Sequence, residues 1–160
     1  YFRTADPGRE AQKESFRAHI EMAARNDLPL QIHDREAHED SIELLRECAN
    51  SDQRIVFHCF SGDAAMASVL VEHGWYASFA GPISYPANED LRQAFAALPP
   101  ELILVETDAP YLTPLPWRGC PNASYVMAHT VRFIADLWGV SEEDACTQLR
   151  ENTERVYGSW

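Results

Sequence analysis

Basic side chains are scarce in this chain. Thirteen Lys and Arg stand against 25 Asp and Glu, a formal charge of −12. A chain so charged repels nucleic acid and anionic membranes as a whole, so a polyanionic ligand requires a local basic patch or a bound cation. No apolar run approaches the roughly 20 residues of a membrane span, so no membrane partner is expected. Seven Gly and ten Pro exclude collagen and simple linkers. No Lys/Arg-rich start leads into an apolar stretch, so no secretory signal is read. The four Cys, at 48, 59, 120 and 146, form no C-x-x-C pair and match no zinc ribbon or finger. They read as reduced thiols of a cytoplasmic protein, with Cys59 and Cys146 in the core and Cys120 in a loop. Internal repeats and low-complexity segments are missing too. What remains is ordinary for a globular protein: 46% hydrophobic and 11% aromatic residues over 160 positions. That suits one domain, 1–160, which at this size buries about 70% of its unfolded surface.

Periodicity and punctuation give the element order. Asp6-Pro7 reads as an N-cap with proline in the first turn, opening a helix that runs to about Asn26 with Phe16, Ile20, Met22 and Ala23 near one face. Leu30–His33 is a short strand after Pro29, and Glu39–Cys48 a second helix. Arg54–Phe60 reads as a buried strand, Ala64–His73 as a helix closed by Gly74, and Trp75–Phe79 as a strand. A helix over Asn88–Leu98 stops at Pro99-Pro100, and Leu102–Glu106 is the most apolar strand. After a proline-rich loop over 110–121, two helices follow, about Tyr125–Trp138 and Ser141–Tyr157, the second opening on a capping-box pattern. Short apolar strands without clear alternation, each followed by a helix, predict a parallel α/β sheet covered on both faces, either a barrel or a doubly wound sheet. No G-x-G-x-x-G or P-loop follows any strand, which weighs against a nucleotide-binding sheet.

Three of the four strands end in residues that bind metals. The first ends in His33, the second in His58, and the fourth in Glu106-Thr107-Asp108. In a parallel barrel those ends share one rim, where catalytic residues gather. Each residue also has a plainer reading. A single His after an apolar strand is often a hydrogen-bonded core residue, and Asp108 before Ala109-Pro110 fits a turn. Glu106 resists such a reading, because an unpaired buried carboxylate is strongly unfavourable. Convergence of imidazoles and carboxylates predicts a divalent metal site, without naming a reaction. His19, His73 and His129 on helices, and His38 near a helix start, are read as surface or packing residues.

The segments Ile32-His33-Asp34-Arg35-Glu36-Ala37, Phe57-His58-Cys59-Phe60-Ser61-Gly62, Ser78-Phe79-Ala80-Gly81-Pro82 and Glu106-Thr107-Asp108-Ala109-Pro110-Tyr111-Leu112 resemble the TatD family of metal-dependent deoxyribonucleases, within the amidohydrolase-like TIM barrels. Pro116-Trp117-Arg118-Gly119 and the ending Glu151–Gly158 fit the same pattern. The H-C-F-S-G and E-T-D-A-P-Y segments are the specific ones. The resemblance implies a TIM-barrel-like α/β fold, here partial. Tyr1-Phe2 looks like the residues just after the family's third-strand motif, so the chain corresponds to the C-terminal three-fifths or so of a family member. The family's first-strand H-x-H pair and its metal-bridging Glu are not among these residues.

The resemblance further implies two divalent ions (Mg, Mn or Zn) and a DNA substrate, possibly single-stranded. His33 and His58 would serve one ion and Asp108 the other, with Asp108 orienting the attacking water or taking its proton. Glu106, two residues earlier, is expected on the same strand face, where it holds a ligand or a water. Arg35 and Arg118 would contact phosphate, although a surface ion pair explains Arg118 nearly as well. Gly119–Tyr125 departs from the commoner N-E-P version of the last loop. The same site type also cleaves esters and amides, including D-aminoacyl-tRNA, and a truncated chain would be inactive and prone to self-association through open strand edges.

Overall fold

The computed structural model describes residues 8–158. The Asp6-Pro7 cap and the Tyr1-Phe2 match lie outside the described residues. Helix α1 is Arg9–Arg25, with Gly8 at its N-cap. It buries Ile20 and Ala23 against the core, with Phe16 packed beside them. Met22, expected on the same face, is 53% exposed, because two positions from Ile20 is about 200° round the helix, on the opposite side. Then come β1 Leu30–His33, α2 His38–Cys48, β2 Ile55–His58, α3 Ala64–His73, β3 Tyr76–Phe79, α4 Glu89–Ala97, β4 Ile103–Val105, α5 Met127–Trp138 and α6 Glu142–Tyr157. Gly74 closes α3 in the left-handed conformation, and the Ser141 hydroxyl caps α6 by accepting from the Asp144 N–H.

All four strands are parallel and lie in sequence order β1-β2-β3-β4. No strand order reverses, so the sheet is of the barrel type rather than doubly wound. Among the described residues β1 and β4 form its two edges. One face, with Ile32, Ile55, Phe57, Ala77, Phe79 and Ile103, joins the helices in the main core. On the other face Val56, Tyr76 and Leu104 pack with Val156 from the end of α6. The Tyr157 hydroxyl donates to Gln31 Oε1 at 2.7 Å, and Arg54 donates to the Val156 carbonyl. The last turn of α6 therefore covers the inner face toward the strands' N-terminal ends. Burial holds on both faces of β2 and β3, as expected, but β1 alternates: Gln31 and His33 are exposed at the edge.

Three strands are shorter than expected, β3 by only its first residue, Trp75. β2 stops at His58 because Cys59 turns to φ +45, after which the Phe60 N–H bonds the Ser78 carbonyl. β4 begins at Ile103 because Pro100–Leu102 forms a 3-10 turn. Similarly, Ser124–Val126 is a 3-10 turn leading into α5. All four cysteines are free, and Cys146, expected in the core, is exposed.

Asn152 ties α6 to the sheet. It is fully buried and donates to the carbonyls of Pro100 at 2.7 Å and Ile103 at 2.8 Å. Asn152→Ala would strand both carbonyls. The expected loss is about 3 kcal/mol, from about 1–3 kcal/mol per unsatisfied group, read as a lower urea midpoint at unchanged slope.

Candidate metal centre

The parallel register sets His33 directly opposite His58 at the C-terminal ends of β1 and β2. Partners in adjacent strands project from the same face, so the two rings stand side by side with centroids 5.8 Å apart. β4 delivers the carboxylates. The Glu106 N–H still bonds the Phe79 carbonyl, which keeps Glu106 at the sheet's end. Beyond it, Asp108 takes φ +53 and the chain turns back.

The result differs from simple strand alternation. Glu106 and Asp108 do not project in parallel; they flank one imidazole. Glu106 Oε1 lies 2.7 Å from His58 Nδ1, and Asp108 Oδ1 lies 3.8 Å from Nε2. Glu106 Oε2 accepts from the Cys59 N–H at 3.1 Å. Oε1 is buried and its short contact with Nδ1 is off the direction of a ring N–H, so it has no directed donor. Ligand atoms of His58, Glu106 and Asp108 all lie within 4.8 Å of one another. A mixed imidazole–carboxylate set with an unsatisfied buried oxygen suits a divalent cation, and the residues present fit one. Glu106 also stands where a carboxylate fixes the orientation of a metal-binding imidazole.

The group opens into a cavity of about 890 Å³, lined by His33, Arg35, His58, Asp108 and Tyr111 among others. Its wall holds four of the five non-glycine residues with positive φ among the described residues: Glu36, Cys59, Asp108 and Leu112. Such backbone is strained in L-residues and collects at functional sites. A second cavity, about 450 Å³, lies between His58, Asp108 and Tyr157 on the inner face. Burial, then the charges of Glu106 and Asp108, push the Cys59 thiol up to about 12, so it is neutral at physiological pH. Burial and the charge of Glu106 likewise raise the Tyr157 phenol.

Arg35 lines the large cavity, close enough to Cys59 to oppose that shift. Arg118 does not line it; its guanidinium sits 4.3 Å over the Tyr85 ring. His73 stacks on Trp75 at 4.4 Å, and His129 pairs with the Trp117 indole, both as packing residues. His38 is different. It was expected to be inert, yet it lines the cavity with its Nδ1 2.6 Å from Asp34 Oδ2. The four-residue spacing of Asp34 and His38 was visible in the sequence, but the helix does not begin until His38, so helical periodicity gave no reason to pair them.

The family described as TatD related DNase matches residues 1–158. The chain is 42% identical over 147 residues to an uncharacterized metal-dependent hydrolase TatD of Mycobacterium tuberculosis, covering 92% of this chain and 55% of that protein. It is 36% identical over 146 residues to the uncharacterized metal-dependent hydrolase YcfH of Escherichia coli K12, covering 91% and 55%. Among solved structures, the TatD homolog YjjV of Escherichia coli K12 superposes with a TM-score of 0.89 at 27% identity, over 98% of this chain and 60% of that one. A TatD family hydrolase from Entamoeba histolytica superposes at 0.85 with 17% identity, a likeness of fold, again over 98% and 60%. The chain thus spans somewhat more than half the length of the relatives it matches.

Proposed function

The chain belongs to the TatD-related DNase family, whose members it matches are named metal-dependent hydrolases, and from that premise we propose that it carries part of the active site of a deoxyribonuclease cleaving DNA phosphodiester bonds. The observation that carries the reading is His58 flanked by Glu106 and Asp108 at the mouth of a large cavity. His33, His58 and Asp108 would hold divalent ions, which when bound neutralise phosphate charge and acidify water. Glu106 Oε1 faces the Nδ1 side of His58 at 2.7 Å, while its second oxygen accepts from the Cys59 N–H. Asp108, on the Nε2 side and about one-third exposed, is open to solvent and takes the proton of the attacking water. Arg35 at the cavity wall supplies positive charge to phosphate against the chain's net −12, while Arg118, expected to do the same, sits over the Tyr85 ring. No described helix is long and apolar enough to cross a membrane, and the free thiols suit a cytoplasmic location.

The test is cleavage of single-stranded DNA by the full-length product of the gene, before and after EDTA, with Mg, Mn and Zn added back. Metal-restored cleavage supports the reading. Restored cleavage of D-aminoacyl-tRNA with none of DNA overturns it. The 160-residue chain by itself should cleave DNA at least ~10²-fold more slowly, the scale of losing catalytic groups, because the resemblance places further ligands outside it. Its edges β1 and β4 are paired on one side only among the described residues, and we expect self-association of the isolated chain, visible by sedimentation.

A further inference from the structure

An anionic substrate entering the large cavity meets a wall that is mostly acidic. Among the described residues lining it, Arg35 is the single Arg or Lys, against Asp34, Glu36, Asp63, Asp90 and Asp108. Of its three imidazoles, His33 and His58 are committed to the metal reading. His38 remains, and it is built in a way a surface histidine is not.

Its anchor is Asp34, whose side chain is 4% exposed. Oδ2 lies 2.6 Å from His38 Nδ1, while Oδ1 is buried with no hydrogen-bond partner. A buried carboxylate with one directed donor holds that donor strongly, since losing it leaves the charge wholly unsatisfied. The carboxylate accepts only, so Nδ1 carries the proton that bonds it. The ring is then fixed with Nε2 on its far side, and no bond from a described residue occupies that nitrogen. His38 itself is about one-third exposed and lines the cavity. When the imidazole is protonated, Asp34 balances its charge and Nε2–H is presented to the cavity.

We propose that His38, held by Asp34, is a substrate-binding residue that in its imidazolium form donates from Nε2 to an anionic group of the substrate, a phosphate oxygen in the deoxyribonuclease reading on which this rests. The contact adds a second donor beside Arg35 on the side of the cavity formed by the β1–α2 connection. It binds substrate rather than taking part in bond cleavage.

The experiment uses the full-length product of the gene with divalent metal, on whichever of an oligodeoxynucleotide or a carboxylic ester it turns over. His38→Ala should raise KM for an anionic substrate about 10-fold, the scale of one charge-assisted hydrogen bond, and weaken inhibition by inorganic phosphate by a similar factor. kcat should hold, while the thermal midpoint falls because the buried Asp34 carboxylate loses its one directed donor. His38→Gln, which keeps an N–H donor, should recover part of the loss, and Asp34→Asn should shift phosphate inhibition the same way. Unchanged phosphate inhibition in His38→Ala overturns the proposal. So does a loss carried by kcat with KM unchanged, which Gln fails to recover and which would make His38 part of the start of α2. Turnover of the ester but not DNA, with phosphate inhibition still dependent on His38, removes the deoxyribonuclease reading and leaves the anion contact standing.

Discussion

Asp108→Asn in the full-length protein is expected to lower kcat on DNA by at least ~10²-fold, the usual scale for removing a general acid or base. Asparagine keeps the size of the side chain and loses the charge and the proton-accepting oxygen. The carboxylate lies 3.8 Å from His58 Nε2 and is about one-third exposed, so its loss leaves no buried group stranded. The melting midpoint should therefore stay within about a degree or two of wild type, as for other surface substitutions. His73→Gln is the matched control. His73 stacks on Trp75, does not line the cavity, and should leave kcat unchanged. Normal turnover by Asp108→Asn with saturating metal would reduce Asp108 to a turn residue and remove the strongest support for the proposed site.

Gly81→Ala is expected to be the most damaging single-methyl addition, at about 3 kcal/mol or more, the upper end for overpacking. A Cβ there would sit 2.0 Å from the Leu112 carbonyl oxygen and 2.6 Å from the Pro114 nitrogen, both backbone atoms. Backbone cannot yield locally, because the loop is stitched down on each side. The Ser84 hydroxyl donates to the Gly81 carbonyl and accepts from the Leu115 N–H, and the Tyr85 hydroxyl donates to the Thr113 carbonyl. Asn122 donates to the carbonyls of Thr107 and Tyr111, on either side of Asp108. Displacing the loop should therefore also displace Asp108, so activity falls along with stability. Gly62→Ala is the informative contrast. Its Cβ would meet the Met66 Sδ at 2.4 Å and the Phe60 ring at 2.7 Å, side-chain atoms that can move. A smaller loss is expected there, since methionine repacks readily. Denaturation midpoints and limited proteolysis across 109–123 read both variants. Equal losses at the two glycines would contradict the rigid-loop account.

The sequence by itself determined the elements and which residues could carry chemistry. Gly74 stopped α3 and Ser141 started α6 where the chain placed them, because local backbone preferences need no distant partner. The apolar strands and the polar residues ending them were readable for the same reason, and the motif segments pointed to the family that matches along residues 1–158. Strand ends were less legible. β2 ends at His58, inside an apolar run, where Cys59 adopts a positive φ and its N–H turns to Glu106, 47 positions away. What the tertiary structure alone decided was how the functional groups meet. The parallel register put His33 beside His58, and the turn at Asp108 put two carboxylates on opposite sides of one ring. It also separated two arginines both expected at phosphate, placing Arg35 in the cavity wall and Arg118 on Tyr85, and it turned His38 into a residue anchored by a buried carboxylate. Those outcomes depend on contacts between segments far apart in the chain or on burial supplied by them, and no local pattern of residues encodes either.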